Sequence, residues 1–268
     1  MTSTDAVLLS ITDQIATITL NRPDRMNALD QSMIEGLGTA LDRIEADIAN
    51  IGAVIIEGSG GTFMAGGDVK FFYELSQNPA EESRPQIETM INRVHDIIIR
   101  LTALPRPVIA KLEGAVAGFG ISLMNACDLA VAAEETVFTL AYIHIGTSPD
   151  GGSTHSLPRL VGMKKAKEIA FLGDRFTATD AHECGLVNKV VPADQLASAT
   201  AKYAARLAAG PRDALARTKA LLNTALEHDL AEQLAREAAA FADCAGSHDF
   251  REGVSAFVEK RSPQFGKS

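Results

Sequence analysis

A chain of 268 residues, 46% hydrophobic and 22% charged, has ordinary globular composition and room for one substantial core, or a core with an appendage. Its formal net charge of -9 disfavours nucleic-acid binding, which needs a basic footprint, and leaves room only for a local basic patch toward an anionic ligand. Three scattered cysteines, Cys127, Cys184 and Cys244, contain no CxxC pair and point to neither a disulfide framework nor a zinc site.

The opening "MTSTDAVLLS" lacks the basic and apolar regions of a signal peptide, and no apolar run approaches the roughly 20 residues of a membrane span. A soluble, cytoplasmic protein is expected. "VLLSITDQIATITLN" predicts two strands around a polar turn at Thr12–Gln14, the second alternating as Ile15, Thr17 and Thr19. "SMIEGLGTALDRIEAD" predicts a helix through the spacing of Met33, Ile34, Leu37, Leu41 and Ile44. "AVIIEGSG" is a short strand stopped by glycines. Glu81–Leu104 is helical by pattern, with Met90, Ile91, Val94, Ile97 and Ile98 as its stripe. "RPVIAKLEG" supplies another buried strand and "DLAVAAEETVFTL" two more.

Strand, glycine-rich turn and helix recur three times before residue 190, which favours an α/β core with crossover connections. In "TATDAHECGLVNKVV", Thr177 and Asp180 form a capping box and Gly185 ends the helix. From about Leu196 the pattern is almost purely helical, broken at Gly210–Pro211. The division expected is a core over 1–195 and a helical region over 196–268. Its thin apolar stripes need cover from the main domain or another subunit.

Two glycine-rich turns carry the first hint of chemistry. "FMAGGDVKFF" follows the strand "AVIIEG", and "GAVAGFGISLMNACD" follows "PVIAKLE". Each joins a strand to a helix-like segment and leaves backbone N–H groups free at its start, suited to an anion or a developing oxyanion. Glycines also let a helix pack closely on a strand, and either reading fits each turn alone. A third turn, "GTSPDGGS", places the carboxylate of Asp150 between a proline and two glycines.

Together, the two turns, the "PDGGS" loop and the ending "FVEKRSPQF" resemble the enoyl-CoA hydratase/isomerase (crotonase) family, with similarity from "ATITLNRPDRMNALD" through "LPRLVG" to the C-terminus. The resemblance implies an α/β, crotonase-like spiral of ββα units with a C-terminal helical region used in trimer assembly. It implies a homotrimer or dimer of trimers, coenzyme A thioesters as substrates, and no separate cofactor or metal. Carried over by motif, Gly67 and Phe119 are the oxyanion donors, with Ala65, Gly66 and Asp68 flanking Gly67 in the substrate-binding turn. Arg25, Met26 and Ala28 in "RPDRMNALD" are the candidates for the nucleotide of coenzyme A, joined by Lys70 and Lys260 toward its phosphates. Lysine suits phosphate as a point charge.

Hydratases of this family carry one glutamate at the place of Ser122 and another at the place of Tyr142, and neither carboxylate is present here. Asp150 remains. Isomerases of phenylacetate catabolism have a similar "PD-G-G" loop followed by "LPRLVG", so the resemblance implies an isomerase with Asp150 as proton shuttle. Phe119, Tyr142 and Ile143 are expected as apolar walls, and Tyr142 as a substrate contact. Related halobenzoyl-CoA dehalogenases use an aspartate in this loop as a nucleophile, aided by an aromatic residue at the place of Tyr142 and a histidine in the helix containing His95. His144 and His155 also lie near the loop in sequence. A hydratase with atypical acid/base groups and a non-catalytic acyl-CoA binder stay open as alternatives.

Overall fold

Short apolar runs build the strands, and the computed structural model, which describes residues 5–266, sets them in two sheets. In chain order the strands are β1 (Val7–Thr12), β2 (Ile15–Leu20), β3 (Ala53–Gly58), β4 (Val108–Leu112), β5 (Ala115–Ala117), β6 (Leu129–Ala133), β7 (Val137–Thr139), β8 (Phe176–Thr177) and β9 (Lys189–Val191). The larger sheet runs β1-β2-β3-β4-β6-β9 and the smaller β5-β7-β8. The first pair is an antiparallel hairpin whose two turn residues, Asp13 and Gln14, have φ of 51° and 66°, the left-handed pair of a primed turn. All later pairs in the larger sheet are parallel and therefore need crossover helices.

Those helices are α1 (Gln31–Ala46), α2 (Val69–Ser76), α3 (Ala80–Ala103), α4 (Phe119–Asn125), α5 (Ser153–Leu172) and α6 (Ala178–Glu183). The expected α/β class holds. The strand alternation sorts the core into two layers. Val108, Ala110 and Leu112 of β4 join Ile18, Val54 and Ile56 in the large core with α1 and α3. Ile109 of β4 faces the other way, with Val131 and Ala133 of β6. The capping box at Thr177 and Asp180 is formed, with Thr177 N–H donating to Asp180 at 2.8 Å and Asp180 N–H to Thr177 at 3.2 Å. The chain pattern did not reveal α5, because Pro158 lies inside it and Gly162 kinks it at φ 75°, ψ 158°.

The C-terminal region holds α7 (Ala193–Ala208), α8 (Arg212–Thr224), α9 (Leu230–Ala245) and α10 (His248–Val258), with the expected break falling between α7 and α8. Leu196, Ala199 and Ala204 of α7 pack on Ile109, Val131 and Val191, covering the second face of the sheet. The part that stands away from the sheet starts at α8. Polar bonds fasten α8 instead: Asn223 donates to the Thr102 carbonyl at 3.0 Å, and Arg212 donates to Ala49 and Gln14. Lys219, with its side chain 8% exposed, reaches the Asp128 carboxylate at 2.8 Å and the Arg106 carbonyl at 3.1 Å. Burial pushes the Asp128 carboxyl up, and the Lys219 ammonium opposes that shift.

Removing one member of such a pair strands the other charge. Lys219→Met is expected to lower the unfolding free energy by about 3 kcal/mol, and adding Asp128→Asn to recover part of the loss. Urea unfolding midpoints of the three chains check this. No helix among the described residues is long and apolar enough to cross a membrane.

Candidate active site

The two glycine turns are brought together by the backbone itself. Met64 pairs with Val116: Met64 N–H donates to Ala115 at 3.0 Å and Ala117 N–H to Met64 at 2.8 Å. Beyond that bridge Gly66 lies directly against Gly118. A methyl group added to Gly66 would stand 3.2 Å from the Ala117 carbonyl oxygen and 3.5 Å from the Gly118 Cα, at a φ of 99° that only glycine adopts readily.

Gly67 and Phe119 follow these two contacting glycines. The Leu29 N–H donates to Gly66 at 2.7 Å and the Leu29 carbonyl accepts from Asp68 at 2.9 Å. Those bonds flank Gly67, so its own N–H faces the opposite side and has no acceptor among the described residues. Phe119 opens α4, where the first N–H of a helix has no internal partner. Two unpaired backbone donors therefore sit on adjoining turns, the arrangement an oxyanion needs.

The loop holding Asp150 lies on α4. A methyl group on Gly151 would meet the Ser122 Cβ at 2.7 Å and the Phe119 ring at 2.8 Å, which puts the neighbouring Asp150 beside the residue whose N–H is the second donor. Ser122 and Ser153, both buried, point their hydroxyls at the Asp150 carbonyl, at 2.9 and 3.2 Å. The Tyr142 hydroxyl donates to the Asp150 carboxylate. Burial, followed by the adjacent carboxylate, raises the Tyr142 phenol above its ordinary value, so it stays a donor at neutral pH.

Of the three histidines near the loop, one bonds it through its ring. His95 Nε2 accepts from the Gly151 N–H at 3.3 Å. His144 instead bonds the Gly173 carbonyl at 2.9 Å, and His155 is exposed on α5. Ile143, expected as a wall of the site, packs its side chain against Gly173 at the end of α5 and is 48% exposed. Tyr142, also expected as a wall, turns its polar end to Asp150.

The remaining expected residues divide. Arg25, Met26 and Ala28 lie on the turn between β2 and α1, and the Met26 carbonyl accepts from Ala65 at 3.0 Å, so this turn and the Gly67 turn are one bonded unit. Asp68 caps α2 by accepting from the Lys70 N–H at 3.1 Å, and the Lys70 side chain is exposed beside it. Lys260 follows α10, and no hydrogen bond or ion pair joins it to these turns. Two residues escaped the sequence reading. Arg22 joins the Asp30 carboxylate at 2.9 Å, and fully buried Asn27 donates to Ser59 at 3.0 Å and Thr62 at 2.6 Å. Their only signal is position, next to a turn already singled out.

The family model described as enoyl-CoA hydratase/isomerase matches residues 10–268. A 1,2-epoxyphenylacetyl-CoA isomerase of Escherichia coli is 35% identical over 97% of this chain and 97% of its own. A crotonyl-CoA hydratase of Syntrophomonas wolfei is 33% identical, again over 97% of each. A crystal structure of an enoyl-CoA hydratase from Polaromonas superposes with a TM-score of 0.90 at 35% identity, covering 97% of this chain and 99% of that one.

Proposed function

The chain belongs to the enoyl-CoA hydratase/isomerase family, and on that premise we propose that it is an acyl-CoA isomerase that shifts a double bond through a thioester enolate. The observation that carries this reading is the convergence of Ser122 and Tyr142 on Asp150. The two places where the resemblance puts hydratase glutamates here hold the loop and orient the carboxylate of one aspartate.

One carboxylate suffices for such a shift. Asp150 takes a proton from C2 of a 3-enoyl thioester, and the electron pair passes to the thioester oxygen. Gly67 and Phe119 donate to that oxygen as its charge develops. Asp150 then returns the proton to C4, so the double bond moves from C3–C4 to C2–C3 and no atom is gained or lost. Tyr142 keeps the carboxylate pointed at the substrate.

Coenzyme A enters this reading as part of the substrate, its nucleotide at Arg25, Met26 and Ala28 and its phosphates toward Lys70. Lys260, after α10, is the second lysine proposed toward the phosphates, from this chain or a neighbouring subunit. A homotrimer fits the exposed apolar side chains of α9 and α10, among them Phe241, Val258 and Phe257, the last 86% exposed in the single chain.

A second reading has one observation of its own. His95 against the Gly151 peptide resembles the histidine that assists an aspartate nucleophile. A panel of 2-enoyl- and 3-enoyl-CoA thioesters separates the possibilities. The isomerase reading predicts that 3-enoyl thioesters gain conjugated-thioester absorbance and 2-enoyl thioesters gain no hydroxyl. Binding of the whole panel without turnover would contradict it.

A further inference from the structure

Arg22 stands just past β2, with its side chain 18% exposed, and its guanidinium gathers three partners. It donates to the Ala28 carbonyl, lies 2.9 Å from the Asp30 carboxylate and 3.8 Å from that of Asp68. Each carboxylate caps a helix. Asp30 accepts from Met33 N–H at the start of α1, and Asp68 from Lys70 N–H at the start of α2.

The same two segments are joined by three backbone bonds: Ala65 to Met26, Leu29 to Gly66, and Asp68 to Leu29. Gly67 thus hangs on the 26–29 segment, and its N–H points only where that segment lets it. The segment in turn depends on Arg22 and Asn27. Asn27 accepts from the Arg22 N–H at 2.8 Å, so backbone and side chain of Arg22 both hold the turn. Without the guanidinium, two carboxylates would face each other across the junction, repelling in a partly desolvated place.

We propose that Arg22 is a positioning residue for the Gly67 N–H, fixing the donor by clamping the 26–29 segment to the caps of α1 and α2. The inference rests on the reading of Gly67 as an oxyanion donor. It also gives the proposed nucleotide turn a second role, since whatever binds Met26 and Ala28 presses on the element that aims Gly67. Lysine would neutralise the carboxylates but lacks the planar fork that reaches Ala28 and Asp30 together.

Amide hydrogen exchange on the ligand-free protein, together with steady-state kinetics, tests this in Arg22→Met and Arg22→Lys. Arg22→Met should speed exchange across residues 65–70. It should lower kcat about tenfold to a hundredfold, beyond any rise in KM from loosening the 26–29 segment, the signature of a misaligned group rather than of lost binding alone. Arg22→Lys should fall between, and it supplies the answer if Arg22→Met does not fold. Unchanged exchange with unchanged kcat, or a rise in KM with kcat intact, would overturn the inference. Faster exchange in a protein whose wild type turns over no thioester would instead contradict the isomerase reading and leave the hold of Arg22 on Gly67 standing.

Discussion

Asp150→Asn is expected to slow double-bond migration about a thousandfold while acyl-CoA affinity stays within a few-fold. The substitution keeps the shape of the side chain and an oxygen for the Tyr142 hydroxyl, and it leaves the backbone bonds from Ser122 and Ser153 to residue 150 untouched. What it removes is the capacity to take a proton from carbon. Tyr142→Phe provides the matching control. The carboxylate remains but loses its orienting donor, so kcat should fall about tenfold with little change in KM. If Asp150→Asn and wild type turn over alike, the proton passes through another group and Asp150 is not the shuttle.

Gly66→Ala should be the second most damaging change, lowering kcat about a hundredfold. The added methyl group meets the Ala117 carbonyl oxygen at 3.2 Å, and a φ of 99° lies outside the range that alanine adopts easily. Relief of either conflict rotates the peptide that carries the Gly67 N–H and pushes the turn away from Gly118. The core under the turn, built from Phe63, Met64 and Val116, is untouched, so the folded state survives. The carbonyl stretch of a bound thioester reads the effect directly: wild type shifts it to lower frequency and Gly66→Ala shifts it less. An equal shift with an unchanged rate would remove Gly67 from the oxyanion site.

Strand β2 could be read from its period-two alternation, and β3 and β4 from short apolar runs, β4 being buried on both faces of the sheet. The capping box at Thr177 could be read because its two partners are three residues apart. Helix α5 could not, since Pro158 and Gly162 interrupt the pattern that packing later restores. The candidate site followed the same rule. Gly67, Phe119 and Asp150 stood out through their motifs, whereas Ser122 stood out only as a missing carboxylate and Tyr142 as a missing carboxylate or an apolar wall. Their positive role, holding Asp150, needs Gly151 packed on Phe119, a contact between residues 32 apart in sequence that no local pattern encodes. His95 reaches the loop across 56 positions, and Arg22 acts through Asp30 and Asp68, so their significance appears only with the fold.

In the proposed reaction Asp150 moves a proton rather than activating water or attacking carbon. Incubation of a 3-enoyl-CoA and, separately, a 2-enoyl-CoA in water enriched in the heavy oxygen isotope, followed by mass spectrometry of acyl product and protein, separates these routes. A proton shuttle gives a conjugated isomer of unchanged oxygen content from the 3-enoyl-CoA, no labelled hydroxyl from the 2-enoyl-CoA, and an unlabelled Asp150 peptide. Heavy oxygen in the acyl chain would identify a hydratase, heavy oxygen in the Asp150 carboxylate a nucleophile, and either would contradict the proton shuttle.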